Sequence, residues 1–182
     1  MAADMKENIA EAAKRLLLEK NVKKLTVKDI VEECQITRQA FYYHFEDISE
    51  MLRWVLERDT AQLFEEICAQ EDGEKALRYF FLTAVNAGPF VRKGMQTNYG
   101  DEIERLLEKH IHYFLGQAVE ARGLYQDCSR FELEWILRYH SQAVIGILRN
   151  WTEEDTENLD RIVHQVYLLM MGKISPFPNL EK

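Results

Sequence analysis

Apolar residues recur at helical spacing along most of the chain. The stretch "IAEAAKRLLLEK" puts Ile9, Ala12, Ala13, Leu16 and Leu17 on one face of a first helix, with Asn21 as its stop. In "LTVKDIVEECQIT", Thr26 is placed to N-cap a short helix, Asp29 completes a capping-box pattern, and Ile30 and Val31 supply the buried side. "CQI" interrupts that helix, and Thr37 is placed to cap another that runs to Phe45. Asp47 and Glu50 form a further capping pattern. It opens a long helix to about Ala69 with Ile48, Met51, Leu52, Val55, Leu56, Leu63 and Ile67 as its stripe.

The polar "AQEDGE" at residues 69–74 is the first joint. Residues 75–96 read as helix, bent or broken near Gly88-Pro89 because proline lacks the backbone donor. A strong helical pattern covers 101–122 and ends before Gly123. Ser129 with Glu132 caps the next helix, which reaches about Asn150. "WTEEDTEN" reads as a turn and helix start, the last helix covers about 156–173, and the tail "SPFPNLEK" is expected to be extended. With only 3 Pro and 8 Gly in 182 residues, the expected class is all-α. Residues 1–46 are expected to form a three-helix head and 47–182 a helical-bundle body, linked by the helix from about 47 to 69.

The head contains the densest chemistry, "TRQAFYYHF" at residues 37–45. Helical geometry turns Ile36, Ala40, Phe41 and Phe45 toward the preceding helices. Arg38, Gln39, Tyr42 and Tyr43 turn outward, and His44 sits at the helix end. A long helix, a short helix, a tight turn and a second short helix make the helix-turn-helix plan, whose second helix enters the major groove. The outward residues suit a groove-facing role. Arg can fork onto guanine, Gln can pair with adenine, and Tyr hydroxyls can reach phosphates. A membrane-surface role fits poorly, since the helix is short and weakly basic.

Charge refines this picture. The net charge is −8, which argues against general coating of nucleic acid. Between Lys14 and Phe45, however, seven Lys/Arg stand against four acids, a local +3 that leaves −11 elsewhere. A basic head on an acidic body suits site-specific binding. The three cysteines, Cys34, Cys68 and Cys128, are odd in number and form no CxxC pair, so they read as small buried hydrophobes. No apolar run reaches the ~18 residues of a membrane span, and the N-terminus carries no signal-type apolar core. A cytoplasmic protein is expected. No Ser/His/Asp order, phosphate loop or HExxH motif is present, and His110 and His112 lie two apart on a helix and diverge. The sequence therefore offers no catalytic or metal constellation, and no cofactor is expected.

The segment "LTVKDIVEECQITRQAFYYHFEDISEML" resembles the DNA-binding head of the TetR family of bacterial transcriptional regulators. The matching features are Thr26, Asp29-Ile30, Ile36-Thr37, the ending Tyr42-Tyr43-His44-Phe45, and the apolar start of the following helix. The resemblance covers about residues 7–52. It implies that Thr26 and Thr37 contact phosphates, that Lys28, Arg38, Gln39 and Ala40 face the groove, and that Tyr42, Tyr43 and His44 contact backbone or bases. Phe41 and Phe45 match core positions. Three features depart from the pattern: Gln35 stands where the turn usually has Gly, Ile48 stands where a phosphate-binding lysine is common, and acidic Glu46 and Asp47 sit beside it. The wording "TRQAFYYHFEDI" also resembles a subgroup that includes regulators of dihydroxyacetone kinase operons.

The resemblance further implies a dimerising, effector-binding body, a homodimer, and a double-stranded, pseudopalindromic operator, with repression and activation both open. In the body, Trp135, Ala143 and Ile147 on one late helix and Ile162, Val166 and Leu169 on the last form the candidate dimer interface. Tyr79, Phe80, Asn86, Phe90, Tyr99, His110, Tyr113, Phe114, Tyr139 and His140 are candidate linings of an effector pocket. The alternative is a ligand- or partner-binding module of the same fold whose head binds DNA only weakly.

Overall fold

The computed structural model describes residues 2–174, without the side chains of residues 2–4 and Cys68. The tail expected to be extended lies outside the described residues. Among the described residues the regular elements are all helices: α1 Ala2–Leu18, α2 Val27–Cys34, α3 Arg38–His44, α4 Ile48–Cys68, α5 Gly73–Met95, α6 Gly100–Ala121, α7 Arg130–Arg149, α8 Glu153–Glu157 and α9 Leu159–Met170. No described helix is long and apolar enough to cross a membrane.

The chain divides into two compact units, and α4, α5 and α6 each contribute to both. The first unit comprises residues 1–61 and 87–111. Its core joins Ile9, Ala13 and Leu16 of α1 to Leu25, Ile30, Val31, Phe41 and Phe45, and to Ile48, Met51 and Leu52 of α4. Ile103 and Leu106 of α6 complete it, with Met95 and Tyr99 packed alongside. The packing unit thus extends beyond residue 46 and recruits a segment distant in sequence.

The expected caps form. The Thr26 hydroxyl accepts the Asp29 amide at 3.2 Å, and the Thr37 hydroxyl accepts the Ala40 amide at 3.1 Å. At the start of α4, Asp47 accepts the Glu50 amide, while the Glu50 carboxylate reaches the Glu46 amide. The α2 end is a Schellman motif, with Ile36 N–H donating to Val31 O and Gln35 N–H to Glu32 O. Gln35 occupies the left-handed position at φ 57° and ψ 40°. The same bonding closes α6 and α9, but there the left-handed residues are Gly123 and Gly172.

The second unit comprises residues 62–86 and 112–182. Phe80 stacks on Phe114 at 5.0 Å between ring centroids, Phe64 meets Phe114 edge-on, and Phe81 packs on Trp151. Ser129 and Glu132 form the full capping box of α7. Two expectations need correction. Of the bend or break expected at Gly88-Pro89, the break does not occur: α5 runs on through Pro89, which is exposed. The segment expected to begin the last helix instead forms the separate α8, with its own capping box between Thr152 and Asp155, before α9 starts at Leu159.

Candidate nucleic-acid interface

The recognition face is built by burying one side of α3. Phe41 and Phe45 are buried in the head core, with rings 6.0 Å apart, and they fix the rotation of the helix. Ile36 and Ala40 are half-buried on the same side. The opposite side presents Arg38, Gln39, Tyr42 at 54% exposure and Tyr43 at 83%. Such aromatic exposure would waste apolar area unless another surface covers it. Tyr43 meets the half-buried His44 edge-on at 5.1 Å, and Tyr42 meets Phe41 at 5.5 Å, so both phenols are braced. Neither Arg38 nor Gln39 has a hydrogen-bond or ion-pair partner among the described residues, which leaves all their donors for a ligand.

The two threonines differ. The Thr26 hydroxyl donates to Asp29 Oδ2 at 2.6 Å while it accepts the Asp29 amide, so its hydrogen is already used. Thr37 is exposed and only accepts, so its hydrogen remains for a phosphate oxygen.

Ion pairing sorts the basic residues of the head. Glu33 takes both Arg15 and Lys20, and those hydrogen bonds hold its carboxyl below the usual range. Lys14 pairs with Glu11, and Lys28 lies 3.7 Å from Glu32 on the surface. An exposed pair of that kind is worth ~0–1 kcal/mol and is readily exchanged for phosphate. Lys23, Lys24 and Arg38 are exposed and carry no ion pair among the described residues. What singles out Lys23 and Lys24 is the neutralisation of Lys14, Arg15 and Lys20 near them, a three-dimensional fact absent from the sequence pattern.

Ile48 corrects the idea that a lysine there could grip DNA. It is 2% exposed and belongs to the head core, so its side chain points away from solvent.

In the second unit a cavity of about 80 Å³ is lined by residues of α4, α5, α6, α7 and α9, including Leu77, Phe114, Leu115, Ala118, His140 and Met170. Of the candidate linings, only Phe114 and His140 reach it. Tyr113 and Tyr139 are exposed at the surface, as is Asn86. Tyr99 packs against the head core, where burial raises its phenol pKa, and His110 belongs to the first unit, with burial lowering its pKa. Tyr79 and Phe90 are half-buried away from the cavity wall, and Phe80 stacks behind Phe114. Arg122, Tyr125 and Tyr167 line the cavity without having been singled out. No cluster of three or more His, Cys, Asp or Glu suited to a metal occurs among the described residues.

Of the candidate interface residues, Trp135, Ala143 and Leu169 are exposed, and Ile147 and Ile162 are half-buried. Val166 is buried within its own unit. Phe131 at 72% and Tyr139 at 71% exposure extend the Trp135 stripe along α7 at four-residue intervals.

Residues 9–55 match the family model for bacterial regulatory proteins of the tetR family. By that match the head of this chain is similar to the DNA-binding region of TetR-type transcriptional regulators. Over 177 residues it is 26% identical to the HTH-type dhaKLM operon transcriptional activator DhaS of Lactococcus lactis, covering 94% of this chain and 91% of that protein. Two solved structures share the fold. The dihydroxyacetone kinase operon activator DhaS superposes with a TM-score of 0.67 at 22% identity, covering 93% of this chain and 96% of that one. The fatty acid degradation regulator FadR from Bacillus halodurans does so at 0.58 and 16%, covering 93% and 99%. The family match thus falls on the helix-turn-helix head, and the relatives named here are regulators rather than enzymes.

Proposed function

We propose that this chain is a TetR-type regulator and binds a pseudopalindromic double-stranded operator as a homodimer in the cytoplasm, with an effector in the body setting the spacing of its two recognition helices. The observation that carries the reading is the α3 face: Arg38 and Gln39 unpartnered and exposed beside Tyr42 and Tyr43, on a helix locked by Phe41 and Phe45. In this reading Arg38 and Gln39 read bases. Thr37, Tyr42, Tyr43, Lys28 and His44 contact backbone or neighbouring base edges. Lys23 and Lys24 add phosphate charge.

The α7 stripe of Phe131, Trp135 and Tyr139, with Ala143 beside it and Leu169 on α9, supplies the isologous surface between protomers. Two recognition helices of a dimer must lie ~34–36 Å apart to enter successive major grooves. An effector that favours one spacing shifts the population between binding and non-binding forms. The activator named among the relatives makes activation as open to this chain as repression.

The test is a titration of the purified protein against duplexes spanning its own promoter region, with scrambled duplex as competitor. Tight binding to one inverted-repeat segment at two protomers per site is expected. Equal affinity for all duplexes would remove sequence-specific recognition.

A further inference from the structure

The body cavity has a chemistry of its own. Its wall is made by Ile67, Ala76, Leu77, Leu115, Val119 and Leu137 together with the residues named above. Polar atoms form almost none of that wall's surface. Arg122 donates through Nη2 to the Gln70 carbonyl at 3.1 Å, and its charge faces Asp72, whose carboxyl is held low chiefly by backbone amides. The Tyr125 hydroxyl donates to the Met170 carbonyl at 2.8 Å. His140 is held toward its neutral form by burial, so it offers no counter-charge to an anion. Gly73 lacks the side-chain atom that would otherwise stand 3.3 Å from the Tyr167 ring.

Size narrows the ligand further. The cavity measures about 80 Å³. That is roughly half of the ~150 Å³ apolar cavity that admits benzene. A hydroxyl or phosphate entering it would lose water and meet almost no polar surface. Met170 and Met171 at one side can repack around a small guest.

We propose that this cavity takes a small, uncharged, apolar molecule of about three to five non-hydrogen atoms, and that it rejects trioses, polyols and anions. This names the chemistry of the effector invoked above and rests on that reading. It also separates the chain from any ligand class suggested by a dihydroxyacetone operon in a relative.

The experiment uses the full-length protein with methyl-labelled side chains, observed by NMR under xenon pressure and then with cyclopropane. Saturable shifts confined to methyls of Ile67, Leu77, Leu115, Ala118 and Met170 are expected, with no such shifts from dihydroxyacetone or its phosphate at millimolar concentration. Ala118→Leu, which fills the space, should weaken xenon binding at least tenfold; should that variant fail to fold, Ala76→Leu provides the same test. Absence of saturable shifts in the wild type, or saturation of these methyls by the triose or its phosphate, would overturn the proposal. Operator affinity measured with and without cyclopropane separates the two layers: saturable binding with unchanged operator affinity would support the ligand class and overturn the gating.

Discussion

The backbone amide of Leu25 donates to Oδ1 of Asn98 at 3.0 Å, which ties the entrance of α2 to the turn between α5 and α6. Lys93 Nζ adds a second tie to Asn21 Oδ1 at 2.6 Å. The chain leading into the helix-turn-helix is therefore held by residues about seventy positions away. Asn98→Ala leaves the Leu25 amide without its acceptor and should cost ~1 kcal/mol. Asn98→Asp keeps an acceptor and should recover most of the loss. Thermal melts of the three proteins check this, and indistinguishable melting temperatures would deny the tie any energetic role.

Gln35 occupies a left-handed position that costs a non-glycine residue roughly 1–2 kcal/mol. Glycine would remove that strain but would add unfolded-state entropy. Gln35→Gly should raise stability by a net ~0.5–1 kcal/mol, read as a higher denaturation midpoint at unchanged slope.

Ile48→Lys tests the departure from the family pattern. The side chain is buried against Phe45, Met51 and the rest of the head core, where a charge finds no partner. The substitution should cost ~3 kcal/mol or more. It should not steepen the salt dependence of DNA binding, in which log K falls with log[salt] by about 0.9 per phosphate contact on duplex DNA. A folded variant with a steeper slope would show that position 48 reaches the backbone after all.

The head was legible because each local signal agreed with the fold. Thr26 and Thr37 cap where their spacing predicts, and the rings of Phe41 and Phe45 separate from those of Tyr42 and Tyr43 by helical period alone. The recruitment of Ile103 and Leu106 into the head core was not legible, since nothing local marks a pairing between α6 and residues near the start of the chain. Proline at 89 misled because a rule about one missing amide does not weigh the rest of a 23-residue helix. The cavity wall was missed for a similar reason. Aromatic residues were favoured as linings, whereas Tyr113 and Tyr139 face solvent and small or aliphatic residues such as Ala118 and Leu115 enclose the space.

The exposed stripe on α7 carries the assembly reading. Trp135→Glu with Tyr139→Glu places two charges on that surface without touching the buried Leu137 and Val144. Sedimentation should show monomers with unchanged helical content at concentrations where the wild type is dimeric. An intact dimer would move the interface off this face.

Base reading by Arg38 is most directly tested by comparing wild type with Arg38→Ala on the operator and on a scrambled duplex at one fixed salt concentration. Loss of a bidentate guanine contact should reduce the ratio of the two affinities by ~1–3 kcal/mol, about five- to 150-fold, while binding to scrambled duplex changes far less. Equal loss on both duplexes, with the ratio unchanged, would contradict base reading by α3 and leave Arg38 as a phosphate contact.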